Sequence, residues 1–305
     1  MSPSGPSPQD RPGRLSVGVI GAGRVGSVLA AALRRAGHSV SGATAVSAAS
    51  VARVERLLPG TPIRPADEVA ATADLVLFGV PDDALRGLVE GLAATDAFRA
   101  GQLIVHPSGA YGIDVLEPVL AHGGLPMALH PAMTFTGRPE DLDRLSDVSF
   151  GVTAPEPLRP AAEVLVLEMG GEPQWVAEEH RPLYHAALTH GANHLVTLVN
   201  EAVDLLRQAG VVHPERMIAP LLSAALDNTL RLGDAALTGP VSRGDAGTVR
   251  RHVEAIGATA PDSVAAYLAL ARRTADRAIG SGQLRPTDAE ALLGVLAERI
   301  DRTGS

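Results

Sequence analysis

The chain has no cysteine and no lysine. Without cysteine there is no thiolate nucleophile, no disulfide and no cysteine metal ligand. Without lysine no side-chain amine can form a Schiff base or give up a proton in catalysis. All 26 basic residues are arginine; a genome biased towards arginine codons accounts for that, and the chemical consequence holds whatever the cause. Aromatic residues make up 3% of a chain that is 46% hydrophobic, so its cores are built from Ala, Val and Leu. No apolar run approaches a membrane span. The net charge of −8, with no dense basic stretch, argues against a nucleic-acid partner. The Ser- and Pro-rich residues 1–13 lack an apolar signal core and are expected to be a disordered tail. The rest of the 305 residues suffices for two domains of a cytoplasmic protein.

What is present is a glycine turn in an informative place. Leu15 to Ile20 is an apolar strand, and Gly21-Ala22-Gly23-Arg24-Val25-Gly26 follows it. An Ala/Leu helix then runs from Arg24 to Ala36, stops at Gly37, and gives way to a second strand from Ser39 to Val46. Glycine hexads alone are common, but in this context each glycine has a physical role. Gly21 allows the tight turn, Gly23 lets backbone approach a pyrophosphate, and Gly26 lets helix pack on strand. The helix start adds unpaired N–H groups and a positive dipole end. A dinucleotide cofactor is the expected ligand.

Short strands and helices alternate through the first half, the pattern of a parallel sheet covered on both faces. Helices are predicted at Ala48–Leu58, Asp83–Ala94 and Pro157–Glu168, and strands at Asp74–Val80, Gln102–His106, Pro126–His130, Val148–Thr153 and Pro173–Ala177. From Glu178 the periods are long and helical: Glu179–Ala209, Pro214–Leu232, Ala246–Ile256, Pro261–Ile279 and Pro286–Ile300. Pro220 is expected near the start of its helix or at a kink. The fold class is therefore α/β, a Rossmann-type doubly wound sheet over 14–178 followed by an all-α domain over 179–305. Ligands of such sheets bind beyond the carboxyl ends of the strands, which places Val80-Pro81-Asp82, Pro107-Ser108-Gly109 and His130-Pro131 at the ligand edge.

NAD-specific versions of this unit carry an acidic residue about 20 positions past the glycines. Between Arg35 and Glu55 there is no Asp or Glu; Thr44, Ser47 and Arg53 are there instead. Hydroxyls and an arginine accept a 2′-phosphate that a carboxylate would repel, so NADP is favoured over NAD. Arg24 either adds charge near the phosphates or is a solvated first-turn residue. The candidate cofactor residues are thus Gly21, Gly23, Arg24, Val25, Gly26, Thr44, Ser47, Arg53, Val80, Pro81 and Ser108.

Four further segments stand out: His106-Pro107-Ser108-Gly109-Ala110; His130-Pro131-Ala132-Met133-Thr134-Phe135; Tyr184-His185 through Asn193-His194; and Thr238-Gly239-Pro240-Val241-Ser242-Arg243-Gly244-Asp245. Histidine is best matched to proton transfer at neutral pH, which points to His130 and His185, with Ser108 as a hydrogen-bond donor to a reacting oxygen. Arg243 suits a bidentate carboxylate clamp. Asp245 either orients that arginine or caps the helix beginning near Ala246. A His-Pro pair at a strand end equally serves to shape a turn. His190 and His194 have metal-ligand spacing, but no Glu follows His190 as a zinc-protease motif requires, so no metal is expected.

The glycine fingerprint joined to a helical second half resembles the superfamily of 6-phosphogluconate and β-hydroxyacid dehydrogenases. The His-Pro-x-Met-Thr-Phe and Gly-Pro-x-x-Arg-Gly-Asp segments are similar to a family that couples a Rossmann-like domain to a helical domain of unknown function, some of whose members are an alternative ketopantoate reductase. That resemblance covers the chain from about residue 14. It implies an NADPH-dependent reductase of a small 2-oxo acid, with ketopantoate to pantoate in pantothenate synthesis the reaction it favours, its site in the cleft between domains and a homodimer formed through the helical domain. The better-known enzymes place a lysine one turn before an asparagine on the first helix of the second domain. Asn193 fits the asparagine, but the residue four before it is Thr189. Another group must supply the proton. Alternatives are an imine or pyrroline-type reductase, a deazaflavin-linked NADP oxidoreductase, and a non-catalytic NADP-binding sensor, for which the missing lysine is the best support.

Overall fold

The computed structural model describes residues 13–297. Nearly all of the tail expected over 1–13, and the end of the last predicted helix, lie outside the described residues. The chain divides into two compact units, 1–191 and 192–305, the division falling within one long helix.

The first unit runs β1 (Ser16–Ile20), α1 (Arg24–Arg35), β2 (Ser39–Ala43), α2 (Ala48–Leu57), α3 (Ala66–Thr72), β3 (Leu75–Phe78), α4 (Asp82–Ala94), β4 (Leu103–His106), β5 (Leu125–Pro131), α5 (Glu140–Arg144), β6 (Ser149–Thr153), α6 (Arg159–Glu168) and β7 (Glu172–Trp175). A 3₁₀ segment, Asp114–His122, takes the crossover position between β4 and β5. The seven strands form one sheet in the order β2-β1-β3-β4-β5-β6-β7. Pairing is parallel except between β5 and β6, where His130 lies opposite Gly151 in antiparallel register. The expected doubly wound parallel sheet thus includes one antiparallel pair. The connection from β5 to β6 holds only the short helix α5, so the chain turns back beside the strand it has just left.

The strands are buried on both faces because side chains alternate into two cores. Leu75 and Leu77 of β3 join Val17, Val19, Val105 and Leu129 under α1 and α6. Val76 and Phe78 of the same strand join Ile20, Ile104, Val69, Leu85 and Leu116 on the other side. Between β1 and β3 the strand order reverses, the place where such sheets open a crevice at their carboxyl ends.

The long helix α7 (Arg181–Gln208) contains the division, and α8 (Pro214–Leu232), α9 (Ala246–Thr259), α10 (Val264–Gly280) and α11 (Pro286–Ala297) follow. Proline opens α8 and α11, where its missing N–H costs nothing. Pro220 is accommodated within α8. The core of this unit joins Val249 and Val253 of α9 to Leu268, Ala271 and Ala275 of α10 and Ala289 and Leu292 of α11. By contrast, only Pro214 of α8 is buried, and Met217, Leu221, Leu226 and Leu230 stand exposed. Among the described residues no helix is long and apolar enough to cross a membrane.

Candidate functional site

The glycine turn packs as a backbone-on-backbone contact. Gly21 has φ +89°, a conformation that favours glycine, and its N–H donates to Thr44 Oγ1 at 2.6 Å. The Gly23 N–H donates to the Gly21 carbonyl at 2.7 Å. Facing the turn is Gly79, just past β3, where a Cβ would lie 2.7 Å from Gly26 Cα and closer still to the Gly21 carbonyl oxygen. The α1 N-terminus has no side-chain cap and no acidic residue in its first turn, so its N–H groups are left for an anion. A groove of about 640 Å³ opens here, lined by the Gly21–Gly23 turn, Thr44–Ser47, Ser50, Arg64 and Gly79–Pro81. Of the predicted cofactor residues, Gly21, Gly23, Thr44, Ser47, Val80 and Pro81 line it directly.

Thr44 and Ser47 hold backbone as well as facing the groove: Ser47 caps α2 by accepting from the Ser50 N–H at 3.1 Å. Arg53 meets Arg24 at Gly137, where a Cβ would lie 2.9 Å from Arg53 Cδ and 3.1 Å from Arg24 Cγ. Arg56 donates to the Gly137 carbonyl at 2.9 Å. Arg53 Nε is buried with no hydrogen-bond partner. Burial first, and then the charges of Arg24 and Arg56, lower its pKa. Guanidinium groups gathered in this way, with an orphaned N–H, suit a doubly charged phosphate. Arg56 was not singled out from the sequence, although it lies three residues from Arg53 on the same helix face.

A second polar cluster occupies the carboxyl ends of β4 and β5. His106 is fully buried, with its Nε2 2.7 Å from the Gly112 carbonyl and its Nδ1 accepting from the Ser108 N–H at 3.2 Å. Those partners require the neutral tautomer with the proton on Nε2, and burial holds its pKa down to about 4. Ser108 Oγ accepts from the N–H groups of Ala110 and Tyr111, tying the loop into a turn. His130 Nδ1 lies 2.8 Å from the Tyr184 hydroxyl, and its ring stands edge-on to His185 at 6.2 Å between centroids. Burial, then Arg181, then His185 push the His130 pKa down to about 4. Gly109 makes room for the pair: a Cβ there would lie 2.7 Å from His185 Cδ2 and 2.9 Å from His130 Nε2. The first unit thus brings Ser108, His130 and His185 together.

Two residues hold this cluster: Arg181, which sequence reasoning missed, and Tyr184, which opens one of the segments singled out above but was given no role. Arg181, 1% exposed, donates to Thr153 Oγ1 at 2.7 Å and to the carbonyls of Ala128, Gly151 and Ser108 at 3.1, 3.0 and 3.4 Å. Its guanidinium carbon lies 5.7 Å from the Tyr184 ring centroid. A cation in the first turn of a helix opposes the dipole, and that was the available signal. Tyr184 fits because Gly151, opposite His130 in the sheet, has no side chain to displace its hydroxyl.

Asn193, Arg243 and Asp245 belong to the helical unit, and all three are exposed. Asp245 caps α9, accepting from the Thr248 N–H at 2.9 Å. Among the described residues no group of three or more His, Asp or Glu is placed to hold a metal.

Residues 1–131 match the model of the Rossmann-like domain, and residues 148–274 match that of a domain of unknown function (DUF2520). No curated protein matches the chain. Solved structures are similar over nearly their whole length. A Bacteroides fragilis protein provisionally named an NADP oxidoreductase is 20% identical with a TM-score of 0.72, over 86% of this chain and 98% of that one. A reductive aminase of Aspergillus terreus, in complex with NADPH and ethyl levulinate, is 18% identical with a TM-score of 0.63, over 92% and 99%. An imine reductase of Pseudomonas sp. is 21% identical with a TM-score of 0.62, over 89% and 99%. At these identities the likeness establishes the fold, a Rossmann-like sheet domain followed by a helical region.

Proposed function

We propose that the chain is an NADPH-dependent reductase of a small 2-oxo acid, with ketopantoate the substrate favoured by the sequence resemblance. The observation that carries the reading is the open cradle at the β1–β3 crevice, lined by Arg64 and by Ser50 of α2, one turn before Arg53 of the Arg24–Arg53–Arg56 group. In this reading the α1 N-terminus holds the pyrophosphate, Thr44 and Ser47 face the ribose, and Arg53 with its neighbours binds the 2′-phosphate, which disfavours NAD. When bound, NADPH supplies a hydride. The chain contributes the proton, for which His130 is the candidate, and Asn193 and Arg243 are the helical unit's candidates for binding the substrate carboxylate.

Reduction of an imine is the second reading, favoured by the reductive aminase and imine reductase among the similar structures. The proposal carries with it a metal-free cytoplasmic enzyme without a nucleic-acid or membrane partner. It also includes a homodimer formed through the helical unit, supported by the uncovered apolar residues of α8, which a stable helix of this kind buries against something.

The test is NADPH oxidation, followed by absorbance, against ketopantoate, other 2-oxo acids and cyclic imines. Turnover of ketopantoate supports the first reading. Turnover of imines alone moves the protein to the second. NADPH binding with no turnover across the panel would overturn both and leave the sensor.

A further inference from the structure

We propose that Tyr184 and His130 form a proton relay, with buried Arg181 as the positioning residue that faces the charge the relay leaves behind. The reaction it serves rests on the reductase reading; the relay's geometry does not.

The direction of the chain of hydrogen bonds follows from its partners. Burial raises the Tyr184 pKa and so keeps the hydroxyl protonated, while burial lowers that of His130 and keeps the ring neutral, so the phenol is the donor and the imidazole the acceptor. The phenolic proton is then directed to His130 Nδ1, 2.8 Å away. A neutral imidazole that accepts at Nδ1 carries its proton on Nε2. Nε2 is the atom beside Gly109, where no side chain crowds it. The groups facing His130 are His106 from β4 and Arg181, Tyr184 and His185 from α7. Neither charged nor titratable neighbours include a carboxylate that would favour imidazolium, so the ring serves as a neutral conduit.

The placement of Arg181 is costly for a purely structural plug. A guanidinium buried at the positive end of a helix is disfavoured by desolvation and by the dipole, a cost that four acceptors and the nearby Glu178 carboxylate offset only in part, since its pKa is still lowered. A charge is useful there because Tyr184 becomes an anion. On reduction, the substrate oxygen or nitrogen takes the electron pair of its former double bond and then the proton from His130 Nε2, whose N–H bonding pair stays on nitrogen. Nδ1 takes the phenolic proton of Tyr184. The resulting phenolate, which burial alone would disfavour, lies against the Arg181 charge that offsets it, and water returns the proton after product leaves. No lysine is needed.

The experiment is ¹⁵N NMR of the His130 ring in the full ligand-free chain, together with steady-state kinetics, for wild type and Tyr184→Phe. The expected spectrum has a protonated Nε2, an unprotonated Nδ1 and titration near pH 4. Tyr184→Phe is expected to redistribute the ring proton between the two nitrogens and to lower kcat at least tenfold, leaving KM for NADPH unchanged. A ring protonated on Nδ1 in wild type, or unaltered by Tyr184→Phe, overturns the relay. The spectral arm reads the relay even where no substrate on the panel turns over, so the two failures are distinct. Arg181→Met is expected to raise the His130 titration only part of the way towards 6.5, burial being the larger cause, and an unmoved titration counts against the role of Arg181. Where that variant does not fold, Arg181→Lys, which keeps the charge, is expected to keep the low titration, and a His130 titrating near 6.5 in it counts against the role of Arg181.

Discussion

Gly79→Ala isolates the steric requirement of the cofactor cradle. Gly79 is not among the residues with positive φ, so alanine is free to adopt its backbone conformation and any effect comes from the added methyl. That methyl would meet the Gly21 carbonyl oxygen, Gly26 Cα at 2.7 Å and Gly26 N at 3.2 Å, all of them backbone. Carbon contacts are comfortable at about 3.5–4.0 Å, so β3 and the β1–α1 turn must separate by roughly 1 Å. No side chain can rotate away to relieve this. Overpacking of this kind costs about 1–3 kcal/mol. Because the displaced atoms are the ones aimed at the pyrophosphate, binding loses part of the same energy, and about 1.4 kcal/mol is tenfold in Kd. We expect Gly79→Ala to lower the denaturation midpoint and to weaken NADPH binding about tenfold or more, read by fluorescence titration. Gly87→Ala is the control: it lies exposed within α4 with nothing within 4 Å of a Cβ, and it is expected to stabilise by about 0.5–1 kcal/mol without touching NADPH affinity. Wild-type NADPH affinity in Gly79→Ala would falsify the placement of the cofactor in this crevice.

The other predictions address charge, pH and assembly. Arg53→Met is expected to weaken NADPH binding about tenfold and leave NADH binding nearly unchanged, as paired titrations would detect; equal losses for both cofactors would remove the 2′-phosphate from this arginine group. His106 and His130 both have folded pKa values near 4, below the ordinary 6.5, so between those values the unfolded chain binds protons that the folded chain refuses. Stability is therefore complete above about pH 6.5 and falls as pH drops towards 4, by up to about 1.4 kcal/mol per pH unit for each histidine. Urea denaturation across that range measures the slope, and His130→Asn is expected to flatten it; an unchanged slope would mean that His130 is protonated in the fold. Met217→Arg together with Leu221→Arg, one turn apart on an exposed face of α8, is expected to convert a dimer to monomer in analytical ultracentrifugation, and a variant that sediments like wild type would exclude that face from the interface.

Which parts of this molecule were legible in the sequence depended on how local their physical cause is. The Gly21–Gly26 turn, the strand alternation and the proline starts of α8 and α11 are set by residues a few positions apart, and the structure has them within a residue or two of expectation, save that β2 ends at Ala43 and not at Val46. The short helices α3 and α5 and the 3₁₀ crossover carry too few turns to show a period. The antiparallel return of β6 depends on pairing across the sheet, which no local pattern encodes. The same distinction divides the site. His130 and Ser108 were found because they follow strands, and the carboxyl-end rule applies to any strand end. Gly79 was missed because its requirement comes from Gly21 and Gly26, more than fifty residues earlier in the chain. Arg181 was missed because its four acceptors belong to β4–β6 and the loops beside them, and nothing around residue 181 announces that they will surround it. Both omissions are contacts between distant segments at one sheet edge. In a chain without lysine, that edge is where the proposed proton route is assembled from several strands and a helix start, instead of being carried by one side chain.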